Sequence, residues 1–121
     1  MVTTDPKLLH CPALVTIKAI AGKWKTRVLW LLRDHPHHFG ELRDALPGVS
    51  AKVLTDQLRE LDAAGLIAAR DDLRHGVTYR LYGFTDHGRS LIPILDLLGE
   101  WGVKHDALGP KTPSPRTESP L

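Results

Sequence analysis

Apolar residues recur at helical spacing along most of the chain and change to a strand-like pattern between residues 66 and 84. Leu14, Ile17 and Ile20 mark a first helix, opened by Cys11-Pro12 with proline where a missing N–H does no harm, and interrupted at Gly22. A second helix over 24–33 carries Val28, Leu29, Leu31 and Leu32, apolar around enough of its circumference to be largely buried, and ends at His35-Pro36. After an extended piece at 37–39, a brief third helix over 40–45 closes in the turn Leu46-Pro47-Gly48. Ser50 then caps a fourth helix, whose apolar residues Leu54, Leu58 and Leu61 commit one face to the core. Gly65 stops that helix, and strand-like segments at 66–71 and 77–84 flank the turn-former Gly76.

Thr85 caps a long last helix. Its apolar residues Leu91, Ile92, Ile94, Leu95, Leu97, Leu98 and Trp101 make a stripe too wide for one packing face, so something must cover the surplus. Pro93 is expected to bend it, because a proline inside a helix removes a backbone bond and clashes with the preceding turn. The fold class is therefore mainly α with a small antiparallel β-wing, and the short turn between the third and fourth helices gives a helix-turn-helix. We divide the chain into an N-terminal arm (1–10), one domain (11–108) and a proline-rich polar tail (109–121) that cannot bury enough apolar area to order itself.

At about 100° per residue, Lys52, Thr55, Asp56 and Arg59 share the face opposite Leu54 and Leu58, where cations, a hydroxyl and a carboxylate can meet base edges. Arginine or lysine suits guanine acceptors, the threonine methyl suits thymine, and Asp56 can accept from cytosine or orient its cationic neighbours. The helix from Ser50 to Asp62 still has two cations against three acids, so affinity would lean on flanking patches. Charge distribution supplies one: residues 1–33 hold six Lys or Arg and one acid, Asp5, a net +5 against −3 for the remainder. Lys23 and Lys25, at the start of the second helix, are placed to meet a phosphate. In the hairpin, Arg74 and His75 at the tip are assigned to phosphate or minor-groove contacts, with Arg70 and Arg80 behind them. Pairing of these arginines with Asp71 and Asp72 is the alternative, and pairs of that kind at a surface contribute little.

Other chemistry is sparse. One cysteine in 121 residues cannot form an internal disulfide, and a thiol at a helix start near Lys7 and His10 has two reasons for a lowered pKa. His35, His37 and His38 match no strong zinc spacing and read as exposed loop histidines. Trp24, Trp30 and Trp101 could line an effector pocket, with core or dimer packing as the default. There is no Ser-His-Asp order, nucleophile elbow or phosphate loop, so no enzyme and no cofactor is implied. No apolar run reaches the roughly 20 residues of a membrane span, and the start lacks the apolar core of a signal peptide, which places the expected location in the cytoplasm.

Five blocks stand in order along the chain: Cys11-Pro12; Gly22-Lys23-Trp24 with Leu29 and Trp30; Phe39-Gly40-Glu41-Leu42 into Leu46-Pro47-Gly48; Ser50, Leu54, Thr55, Leu58, Arg59, Glu60 and Leu61 to Gly65-Leu66; and Tyr79 and Leu81 into Thr85, Gly88, Leu91 and Trp101. In these blocks the chain resembles the HxlR-type winged helix-turn-helix transcriptional regulators of the broader MarR-like group. The resemblance implies double-stranded DNA as partner and a homodimer on a pseudo-palindromic operator. Its first and last helices would join through Leu14, Ile17, Leu91, Ile94, Leu95, Leu98 and Trp101. It also implies an oxidant or small-molecule signal, with Cys11 as the redox-sensing residue. The competing expectation is a winged-helix module that binds protein and never reads DNA.

Overall fold

The computed structural model describes residues 11–110, which fall into two compact units divided between Ser90 and Leu91. The expected arm, and the tail beyond residue 110, lie outside the described residues. The first unit runs α1 (Pro12–Ile20), α2 (Lys23–Leu32), β1 (His37–His38), α3 (Phe39–Ala45), α4 (Ala51–Ala63), β2 (Ile67–Arg74), β3 (Val77–Phe84) and α5 (Asp86–Arg89); the second holds α6 (Ile92–Asp106).

In the first unit the core is built from the leucine stripes expected of each helix. Val28, Leu29 and Leu32 of α2, Leu42 of α3, and Leu54, Leu58 and Leu61 of α4 are buried, together with Ile67 of β2 and Leu81 of β3. Each fully buried aliphatic side chain contributes about 1.5–3 kcal/mol relative to exposure, so these residues fix how α3 and α4 sit on α2. Helix α2 is less enclosed than its composition implied, since Trp30 keeps 38% of its surface.

Helix α4 begins and ends as its sequence dictates. The Ser50 hydroxyl accepts from the Val53 amide at 3.0 Å, and Gly65 adopts φ +78°, the left-handed conformation that costs glycine nothing. The amides of Gly65 and Leu66 then donate back to the carbonyls of Asp62 and Leu61 at 2.9 and 3.0 Å, closing a Schellman motif. β2 leaves directly from this cap, so the helix and the wing are joined without slack.

The wing differs from the expected hairpin in two respects. β2 continues to Arg74, three residues further than its apolar pattern suggested, and the loop contracts to His75-Gly76. Both loop residues have positive φ, 51° and 79°, as a two-residue type I′ turn requires. The extended piece at His37 and His38 is also a strand, paired antiparallel with Tyr82 and Leu81, which makes a three-stranded sheet in the order β1-β3-β2.

The long, Pro93-bent last helix is corrected. Thr85 caps only the four-residue α5, its hydroxyl accepting from the Gly88 amide at 2.9 Å, and a new helix starts after Leu91. Pro93 therefore lies in the first turn of α6, where its absent N–H would have had no helical partner anyway. Among the described residues, no helix is long and apolar enough to cross a membrane.

Candidate nucleic-acid interface

α3, a turn and α4 followed at once by the β2–β3 wing form a winged helix-turn-helix, and α4 carries the side chains singled out for base reading. Lys52 is exposed and tied to Asp56 one turn later, Nζ to Oδ2 at 2.8 Å. That bond, followed by the charges of Lys52 and Arg59, holds the Asp56 carboxyl below its usual range. Thr55 is half-buried. Arg59 is exposed, and among the described residues no carboxylate forms an ion pair with it. The polar face of α4 thus presents one arginine without an ion-pair partner beside one internally neutralised pair.

Lys25 is corrected from a phosphate contact to a structural tie. Its side chain is only 13% exposed and its Nζ lies 2.8 Å from Glu60 Oε1, linking α2 to α4. Lys23 remains exposed, with its ammonium 4.7 Å from the centroid of the Trp24 ring. In the wing, the alternative pairing of arginine with aspartate is what the structure holds: Arg74 Nε donates to Asp72 at 2.8 Å and Arg80 Nη1 to Asp71 at 3.2 Å. Their side chains stay well exposed, at 60% and 58%, and each guanidinium has five N–H donors, more than its one aspartate bond uses. Arg70 is exposed on β2, and His75 is exposed in the turn itself.

His38 is not the exposed loop histidine its sequence context suggests. Its side chain is 13% exposed and Nε2 lies 2.7 Å from Asp72 Oδ2, thirty-four residues away. Only pairing of β1 with β3 brings the two together, and a two-residue strand leaves no periodic signal. His35 and His37 stack on each other with ring centroids 4.2 Å apart.

Three further expectations meet the structure as follows. Cys11 occupies the N-cap position of α1, but its thiol makes no capping hydrogen bond and is exposed; Lys7 and His10 lie outside the described residues. Of the expected dimer residues, Leu14, Ile17, Ile94, Leu98 and Trp101 are exposed, whereas Leu91 and Leu95 are buried. Among the tryptophans, Trp30 lines a cavity of about 320 Å³ with Thr26, Arg27, Leu31, Ala45 and Leu46, which Trp24 and Trp101 do not line.

Residues 19–108 match the HxlR-like helix-turn-helix family. The chain belongs to that family. An HTH-type transcriptional regulator of Methanothermobacter thermautotrophicus is 41% identical to this HxlR-like chain over 93 residues, covering 76% of this chain and 70% of the relative. The HTH-type regulator YdzF of Bacillus subtilis is 39% identical over 95 residues, covering 78% and 86%. Among solved structures, the redox regulator HypR in its reduced form superposes with a TM-score of 0.73 at 33% identity, covering 81% of the HxlR-like chain and 97% of HypR.

Proposed function

We propose that this HxlR-like protein is a sequence-specific, DNA-binding transcriptional regulator that acts in the cytoplasm as a homodimer on a pseudo-palindromic operator. One observation carries the reading: a side-chain-capped helix exposing Lys52 and Arg59 runs without slack into a wing tipped by Arg74 and His75. Each protomer would lay α4 in a major groove and the wing on the adjacent backbone, with half-sites about 34 Å apart. The exposed apolar residues of α1 (Leu14, Val15, Ile17) and of α6 (Ile94, Leu97, Leu98, Trp101) support a second copy as their cover, since patches of this kind mark interaction surfaces.

Selecting duplexes from a random pool with the purified protein is expected to return an inverted repeat, and affinity for it should fall steeply with salt, by about 0.9 log units per log unit of salt for each phosphate neutralised. A flat pool with a shallow salt slope favours the protein-binding module instead. The acid content of α4 and the pairing of Lys25 and Lys52 are the observations that keep that reading in play.

The exposed Cys11 thiol supports a redox input, as does the similarity to the redox regulator HypR. A peroxide would oxidise the thiolate to a sulfenic acid, and a second thiol, from the partner subunit or a small molecule, would displace water to give a disulfide. Signalling then requires that the two forms favour different arrangements of the reading heads. After oxidant, operator affinity of the parent should change and that of Cys11→Ser should not; equal responses remove Cys11 from the mechanism.

A further inference from the structure

The sheet is three strands wide only at its base. β1 pairs with Leu81 and Tyr82 of β3, and from Asp71–Arg80 outward to Arg74–Val77 the wing is a bare two-stranded ribbon. Two-stranded hairpins are marginal on their own, so an outer wing held in one place needs another restraint. Strand alternation and the register put His38, Leu81, Tyr79, Arg70, Asp72 and Arg74 on one face. From that face the His38 imidazole reaches across the central strand to β2 and meets Asp72 beyond the end of β1.

The bonds run in series. Glu41, in the first turn of α3, accepts from the His38 amide at 2.8 Å, and its carboxylate lies 3.3 Å from His38 Nδ1. His38 Nε2 is 2.7 Å from Asp72 Oδ2, and the same oxygen accepts from Arg74 Nε at 2.8 Å. The Tyr79 ring lies against the imidazole, with centroids 5.0 Å apart. The bond from His38, and after it that from Arg74, holds the Asp72 carboxyl below its usual range. An ionised carboxylate only accepts, so Nε2 carries the proton and donates it. Exposure rises along the series, from 13% at His38 to 22% at Asp72 and 60% at Arg74. The guarded end belongs to the helix-turn-helix and the open end to the wing tip.

We propose that His38 is a positioning residue for the wing: by fixing Asp72 it aims the Arg74 guanidinium, so that the wing meets DNA in register with α4. This rests on the reading of the wing as a DNA contact. Without His38, Asp72 and Arg74 would remain paired, but their place relative to α3 would be set by the ribbon alone.

The experiment is a double-mutant cycle on the full chain with the inverted repeat recovered by selection. It compares the parent, His38→Phe, Arg74→Ala and the double variant for affinity and salt slope, with thermal unfolding as the check on folding. Phenylalanine keeps a ring on Tyr79 and deletes both nitrogens. Arg74→Ala should weaken binding several-fold and reduce the slope by about 1. His38→Phe should lose a similar factor in the parent and nothing further in the Arg74→Ala background. His38→Gln, which can still donate to Asp72, should recover most of the loss. If His38→Phe fails to fold, His38→Gln and Asp72→Ala complete the cycle, with Asp72→Ala expected to behave as His38→Phe. Additive losses overturn the positioning role and leave the DNA reading intact. Unchanged affinity in Arg74→Ala removes the wing contact and the positioning role together, and absence of any selected duplex removes the proposed function itself.

Discussion

Gly88→Ala is expected to lower the stability of the protein by on the order of 3 kcal/mol or more, at the upper end of overpacking effects. A Cβ built at Gly88 would lie 1.9 Å from the Leu66 carbonyl oxygen, 2.8 Å from its carbon and 2.9 Å from Phe84 Cδ1. The obstacle is backbone, and that backbone is held from both sides. Leu66 closes the α4 Schellman motif through its amide, and its carbonyl accepts from the Thr85 amide at 3.0 Å. The Thr85 hydroxyl also binds the Gly65 carbonyl at 2.6 Å. Moving Leu66 away would therefore open the end of α4 and the start of β2 together. For a domain of this size, about 1 kcal/mol corresponds to roughly 4–8 °C, so a drop in Tm of more than about 12 °C is expected. Gly40→Ala is the internal control, since a Cβ there meets nothing within 4 Å, and it should unfold within a few degrees of the parent. A Gly88→Ala protein that melts with the parent would show that the approach of α5 to Leu66 can relax.

Gly88 illustrates what the chain discloses and what it withholds. Its place between Thr85 and Leu91 was part of the family resemblance, but nothing in one sequence says that its neighbour is the carbonyl of Leu66, twenty-two residues back. The elements that were legible are those whose signals are local: the Ser50 cap, the Leu54-Leu58-Leu61 stripe, the Gly65 stop and the turn at Gly76. The structure departs from local signals where tertiary pairing decides. Asp71-Asp72-Leu73-Arg74 has the polarity of a loop, yet it is strand, because an edge strand tolerates charge and Arg80 lies opposite Asp71. Pro93 could have bent one helix or begun another, and the break after Ser90 chooses the latter.

The site divides in the same way. The polar face of α4 follows from helical period alone, so Lys52, Asp56 and Arg59 were found together. The partners Lys25–Glu60 and His38–Asp72 are thirty-five and thirty-four residues apart, and no spacing rule connects them. The apolar surplus of the last helix was visible, but its division was not: Leu91 and Leu95 are buried while Leu97, Leu98 and Trp101 are exposed.

That pattern of pairing singles out Arg59 for the largest effect on recognition. Lys25 is spent on Glu60 and Lys52 on Asp56, so neither can replace a lost cation without first abandoning a carboxylate. Removing Arg59 would leave Asp56 and Glu60 on the helix with no unpaired positive charge among the described residues of α4 to offset them. Arg59→Ala is therefore expected to cost about 1–3 kcal/mol of operator binding, roughly 5- to 150-fold in Kd, with preference relaxed at one base pair. The check is a scan of single base-pair substitutions in the selected operator against parent and variant at fixed salt. If Arg59 reads a guanine, substituting that pair should weaken the parent and leave the variant indifferent, while every other position keeps its ranking. An equal loss at every position, with the salt slope reduced by about 1, would instead make Arg59 a phosphate contact and shift base reading to Lys52 and Thr55.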